Sequence, residues 1–186
     1  MKLFAERGVA DVTVRQIAAA AGVSPSLVIH HYRSKEGLKQ AADERATALV
    51  RAFIKQLTDP ASHDATSLTE LFADGLDQEP DLPAYLRRLL VDGGPTAEAL
   101  FRTMFDATVT GMAALTAAGL ARPTADERLR AAFLLANDLA LVMLRDQLQT
   151  VLGIDPLSRP GITRWAGQVL DVYSAGVYQS SSSEHQ

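Results

Sequence analysis

The chain has 186 residues, enough to bury a core in one domain or in a small module joined to a larger one, and its 18 Lys and Arg against 22 Asp and Glu leave a net charge of −4. It contains no cysteine, which excludes disulfides, thiolate metal sites and a cysteine nucleophile. No run of about 18 apolar residues occurs and charge enters early, at Lys2 and Glu6, so the expectation is a soluble cytoplasmic protein with neither signal peptide nor membrane partner. Apolar residues recur at spacings of three and four, Ala and Leu dominate, and convincing strand alternation is missing, which predicts an all-α fold. Glycine, proline and capping residues divide the chain into nine expected helices, near 1–7, 14–20, 25–31, 35–58, 65–77, 81–91, 95–118, 124–151 and 161–178, followed by a polar tail over 180–186 that reads as disordered.

Charge is unevenly spread along this series. Residues 1–51 carry eight Lys and Arg against five acids, and the remainder carries ten against seventeen. A basic head on an acidic body is the electrostatic layout of a phosphate-binding module joined to a part that does not bind phosphate.

Within the head, the Thr13 hydroxyl can cap a helix whose inward face is Val14, Ile17, Ala18 and Ala21. Gly22 can take the left-handed conformation that turns the chain, Ser24 can cap the next helix, and Pro25 fits its first position. The run Ala21-Gly22-Val23-Ser24 therefore encodes helix, tight turn, helix. On the second helix Val28 and Tyr32 are expected to point inward, leaving Pro25, Ser26, Ile29 and His30 outward on a face free of acids. Such a helix suits the major groove of double-stranded DNA: Ser26 can bond a base edge and Ile29 can pack on a thymine methyl. Around it Thr13, Ser24, His30, His31 and Lys35 can meet the backbone phosphates, which fixes position without reading sequence, and Arg15 is a further DNA-facing candidate. Adjacent His30 and His31 point about 100° apart on a helix, so no metal site is expected of them.

The segments Leu3-Phe4-Ala5-Glu6-Arg7-Gly8, Thr13-Val14-Arg15-Gln16-Ile17-Ala18, Ala21-Gly22-Val23-Ser24 and His30-His31-Tyr32-Arg33-Ser34-Lys35-Glu36-Gly37-Leu38 resemble the DNA-binding signature of TetR-type regulators. The resemblance covers about residues 3–45. It implies a three-helix helix-turn-helix module over 1–45 and a helical domain for effector binding and dimerisation over 46–179. It also implies base contacts from Pro25, Ser26 and Ile29 and phosphate contacts from Thr13, Ser24, His30, His31 and Lys35. Ile29 stands where the family often has Tyr, and Leu27 where a small polar residue is common, so base preference does not carry over. The family's first helix normally starts earlier, and Met1 reads as entering it part-way, a truncated first helix.

Helix 35–58 is expected to bridge head and body. In helix 95–118 Leu100, Phe101, Met104, Phe105, Met112 and Leu115 are spread around the cylinder, which predicts a helix surrounded by others. Thr108, Asn137, Asp138 and Arg145 lie among apolar neighbours, and one way to pair buried polar groups is a ligand. Phe101, Met104, Phe105, Thr108, Met112, Phe133 and Asn137 are the candidate lining of a pocket for an unknown, largely apolar effector; an ordinary core is the competing reading. In the last helix Ile162, Trp165, Ala166, Val169, Val172 and Tyr173 form a broad stripe, with Trp165, Val169, Val172 and Tyr173 the candidate dimer contacts. Two such helices per subunit would make a two-fold four-helix interface, presenting two heads to half-sites of an inverted repeat about 34–36 Å apart.

The expected function is a homodimeric repressor released from its operator by a ligand. A helical dimer that binds ligand without binding DNA stays open as an alternative. A helical enzyme has little behind it, since the chain lacks a phosphate loop, a dinucleotide glycine pattern and a usable Ser-His-acid set, and no cofactor is expected.

Overall fold

The computed structural model describes the backbone of residues 1–57 and 65–175 and the side chains of these except 65–68. Ten helices lie among the described residues: α1 (Lys2–Arg7), α2 (Val14–Ala20), α3 (Pro25–Tyr32), α4 (Lys35–Leu57), α5 (Ala65–Gln78), α6 (Leu82–Asp92), α7 (Pro95–Ala117), α8 (Glu127–Met143), α9 (Arg145–Leu152) and α10 (Arg159–Ala175). The expected tail over 180–186 and the expected helix ends at 58 and 178 lie outside the described residues. No helix among the described residues is long and apolar enough to cross a membrane.

The helix-turn-helix follows from its punctuation. The Gln16 backbone N–H donates to Thr13 Oγ1 (3.3 Å) while the Thr13 N–H donates to Gln16 Oε1 (2.8 Å), a reciprocal cap on α2. At the other end Gly22, with φ 68°, lets the Val23 N–H reach the Ala18 carbonyl (2.9 Å) and its own N–H reach Ala19 (3.2 Å), satisfying carbonyls the helix would leave bare. Ser24 Oγ then accepts the Leu27 N–H at 3.2 Å, with Pro25 in the first helical position.

Two apolar clusters divide the chain. Phe4, Val12, Ala42, Ala46 and Tyr85 form the core of the head. Val50, Leu86, Leu89, Ala97, Leu100, Met104 and Leu135 form that of the body. Helix α4 supplies Ala42 and Ala46 to the first and Val50 to the second, the bridging expected of it; α6 is a second bridge, with Tyr85 in the head and Leu86 and Leu89 in the body. Leu100 is fully buried, and burial of such a side chain is worth about 1.5–3 kcal/mol.

Four expectations need correction. The helix predicted over 124–151 is two, because Leu144 leaves the helical conformation (φ −112°, ψ 21°) and Arg145 is drawn to Asp155, donating from Nε (3.0 Å) and Nη2 (2.6 Å). No glycine or proline marks that break. Helix α7 is packed along one side rather than surrounded: Ala97, Leu100 and Met104 are buried, whereas Phe101 and Leu115 stay exposed. Three of the four polar residues for which a ligand was one possible partner are accounted for without one: Thr108 Oγ1 donates to the Met104 carbonyl (3.0 Å), Arg145 has the Asp155 carboxylate, and Asp138 is exposed. In the head, Tyr32 and Ala21 are exposed rather than inward: α3 buries Val28 alone, and α2 buries Ala18 alone with Ala21 standing past its end as the C-cap.

Candidate nucleic-acid interface and body cavity

Of the eight residues of α3, seven are exposed. Leu27, Ile29 and Tyr32 are apolar side chains left 40–43% open, interleaved with Pro25, Ser26, His30 and His31. Thr13, Arg15 and Ser24 are exposed as well, so eight of the nine candidate DNA-facing residues are open to solvent. Ser24 and Ser26 hydroxyls are bonded to each other at 2.9 Å, and the His30 and His31 rings meet edge-on with centroids 5.4 Å apart. The ninth, Lys35, is half-buried: its Nζ donates to the carbonyls of Val9 (2.7 Å) and Ala10 (3.2 Å), tying the α1–α2 link to the start of α4. An ammonium has three N–H donors, so one remains for a phosphate. Next to it the Glu36 carboxyl lies below its ordinary pKa, held first by a backbone N–H and then by the Ser34 hydroxyl.

Head and body are joined through a buried acid. Asp43, 6% exposed, accepts from Tyr85 Oη on α6 (2.7 Å) and from Lys39 Nζ (2.5 Å). Burial, then the Asp43 carboxylate, pushes the Tyr85 phenol well above its ordinary pKa, so it stays a donor. Sequence periodicity treats both residues as unremarkable; only the fold brings α4 and α6 together.

In the body an open cavity of about 390 Å³ is lined by Leu90, Gly93, Gly94, Ala97, Glu98, Phe101, Leu139 and Met143. Of the seven candidate pocket residues it gathers Phe101 alone. Met104 is in the core, Phe105 packs on that core beneath the Arg128 guanidinium (4.8 Å), Thr108, Met112 and Asn137 are half-buried elsewhere, and Phe133 is 64% exposed. The cavity sits where α6 turns into α7, and the Gly93-Gly94-Pro95 break was its one sequence signal.

Leu129 (67% exposed) and Phe133 on α8, and Leu170 and Tyr173 on α10, are apolar side chains left open to solvent. Of the four candidate dimer residues Tyr173 is exposed; Trp165, Val169 and Val172 are half-buried, and Trp165 Nε1 is buried without a partner. Leu129 and Phe133 are four apart and so share one side of α8, whereas Phe133 was expected in the lining of a pocket. Asp138 is solvent-exposed in the single chain, yet apolar neighbours crowd its carboxyl and push its pKa up to about 6. Solvent contact limits the size of that shift rather than its direction. Tyr173 feels that carboxylate, which places the two near each other.

The family described as "Bacterial regulatory proteins, tetR family" matches residues 1–42, and "Tetracyclin repressor-like, C-terminal domain" matches 77–179. An HTH-type transcriptional regulatory protein, RaaS, of Mycobacterium tuberculosis is 37% identical over 123 residues, 66% of this chain and 57% of that protein. The HTH-type transcriptional repressor KstR2 of Rhodococcus jostii is 33% identical over 102 residues, 54% of this chain and 43% of that one. The matches thus span about half the length of these relatives. A crystal structure described as a TetR-family transcriptional regulator from Rhodococcus sp. shares the fold, with TM-score 0.59 and 20% identity over 92% of each chain.

Proposed function

Because the chain belongs to the TetR family of bacterial regulatory proteins, we propose that it is a cytoplasmic DNA-binding regulator, a homodimeric repressor released from an inverted-repeat operator by a small, largely apolar ligand. Chemistry by the chain itself forms no part of this role. The observation that carries the reading is α3: a helix with seven of eight residues exposed, apolar and hydroxyl side chains interleaved, and no acid on it. Ser26 and Ile29 read base edges; Thr13, Arg15, Ser24, His30, His31 and the remaining donor of Lys35 meet phosphates. The exposed face of α8 and α10 supports pairing of two chains, which sets the spacing of the two heads.

The cavity at the α6–α7 turn is the proposed effector site. Its lining suits an apolar body, with Glu98 the charged group available to a basic or hydroxyl substituent. Helix α6 lines that cavity with Leu90 and enters the head core with Tyr85, so a ligand that prefers one position of α6 shifts the head. Its leverage equals its difference in affinity for the two positions, typically 1–3 kcal/mol. Titration of the protein against a duplex from upstream of its own gene, beside a random duplex of equal length at two salt concentrations, tests the reading. Preferential, salt-sensitive binding is expected; equal, weak binding to both would refute it.

A further inference from the structure

We infer that Arg33, at the end of α3, is a phosphate contact that anchors the recognition helix on DNA, and that the chain keeps a strained turn to present it. This rests on the DNA-binding reading above. Arg33 is the one non-glycine residue with positive φ among the described residues (φ 68°, ψ −45°). The Ser34 N–H donates to the Tyr32 carbonyl at 2.8 Å, closing a three-residue turn centred on Arg33 in a geometry that L side chains seldom adopt. The junction is held tightly on its far side. A Cβ on Gly37 would stand 2.1 Å from the Tyr32 carbonyl oxygen, the Gly37 N–H donates to Ser34 Oγ (3.1 Å), and the Leu38 N–H donates to the Ser34 carbonyl (3.1 Å).

Glycine takes a positive φ without steric cost, as at Gly8, Gly22 and Gly153. An arginine stands there instead, its backbone N–H closing α3 on the Ile29 carbonyl (2.9 Å) and its exposed side chain without a hydrogen bond or ion pair to any described residue. The arginine side chain itself gains no contact inside the chain for the strain, and a glycine would make the same backbone bonds. Strain that persists without an internal partner points to a partner outside. The charge pattern names it: from Gln16 to Ser34, across the whole turn and recognition helix, Arg33 is the sole Lys, Arg, Asp or Glu. The carboxyl end of a helix carries partial negative charge and repels phosphate, so a fixed cation is needed for that end to settle on the backbone. Guanidinium, planar and always charged, bonds phosphate oxygens in pairs.

Three variants separate charge from strain. Arg33→Gly removes both, Arg33→Ala removes the charge and keeps the strain, and Arg33→Lys keeps both. The readouts are thermal midpoint and the slope of log Kd against log salt on the upstream and random duplexes. The Gly variant should melt higher than the unmodified chain, and both the Gly and Ala variants should bind about tenfold more weakly at low salt. Their slope should be shallower by about 0.9 per subunit, the release expected for one phosphate contact. The Lys variant should keep slope and most affinity. If the unmodified chain binds DNA and all three variants share its slope, the inference about Arg33 falls and the DNA-binding reading stands. If the unmodified chain binds neither duplex, both fall.

Discussion

On α3, Leu27, Ile29 and Tyr32 are each about two-fifths exposed and alternate with serine and histidine; on α8, Leu129 and Phe133 are about two-thirds exposed and share one stripe. Both helices leave apolar groups in water, but with different neighbours. The α3 face mixes methyls, rings and hydroxyls at single-residue spacing, which suits base edges whose pattern changes from one pair to the next. The α8 stripe, with Leu170 and Tyr173 also exposed on α10, is apolar surface of the kind a second protein chain covers. The separation implies that the two functions can be broken one at a time.

Phe133→Asp should give the largest effect. If two chains pair through this stripe as proposed, it places two charges in their two-fold interface, one from each chain, and central aromatic contacts are worth roughly 2–4 kcal/mol apiece. Sedimentation should show a monomer at concentrations where the unmodified chain is dimeric, while salt-sensitive binding to random DNA survives. Loss of the fold, seen as collapse of the helical circular dichroism, would mean the face is part of the core rather than an interface.

Next in size is the joint between the regions. Tyr85→Phe leaves Asp43 Oδ1 buried with one donor fewer, at a cost of about 1–2 kcal/mol in urea unfolding. If Asp43 ties head to body, amide exchange in α1 and α4 should rise together, whereas exchange confined to α6 would argue against the tie.

Within the head, His30→Ala should weaken binding to all duplexes alike, whereas Ile29→Ala should alter preference between them by about 1–3 kcal/mol per affected base pair. Competition assays on a randomised duplex pool distinguish the two. Equal shifts on all sequences for both variants would remove Ile29 from base reading.

How legible these regions are in the sequence depends on the range of the forces involved. The helix-turn-helix is written in local terms: Thr13 and Gln16 cap α2, Gly22 ends it, and Ser24 and Pro25 start α3, all within bonding reach along the chain. Residue spacing therefore places eight of the nine candidate contacts on the exposed surface. The body is set by partners and packing that the spacing of apolar residues does not report. Arg145 breaks a long helix because of Asp155, Thr108 is satisfied by its own helix, and Phe133 turns outward because Leu135 and Ala131 already fill the inward side of α8. Periodicity reports that a residue is apolar, not whether water, core or another chain covers it, so the expected pocket and the observed cavity share only Phe101.

The smallest expected effect bears on the nature of the α8–α10 face. Apolar crowding holds the Asp138 carboxyl at about pKa 6, against an ordinary value of 3.8, even though the residue still touches solvent. A raised carboxyl pKa means that the folded chain binds more protons than the unfolded chain between those values. Stability from this group is therefore greatest at low pH, declines as pH rises from about 4 to 6, and is level above that. Asp138→Asn should remove the decline. Subtracting its urea midpoint from that of the unmodified chain at each pH isolates the group from every other carboxylate, and the difference should fall across the window. A second chain seated on the face would strip the remaining water from Asp138 and move the decline to higher pH. The same subtraction in the Phe133→Asp background, where the chains are apart, should bring it back down. An identical profile in dimer and monomer would mean that Asp138 lies outside the covered area and that the interface is centred nearer Leu129.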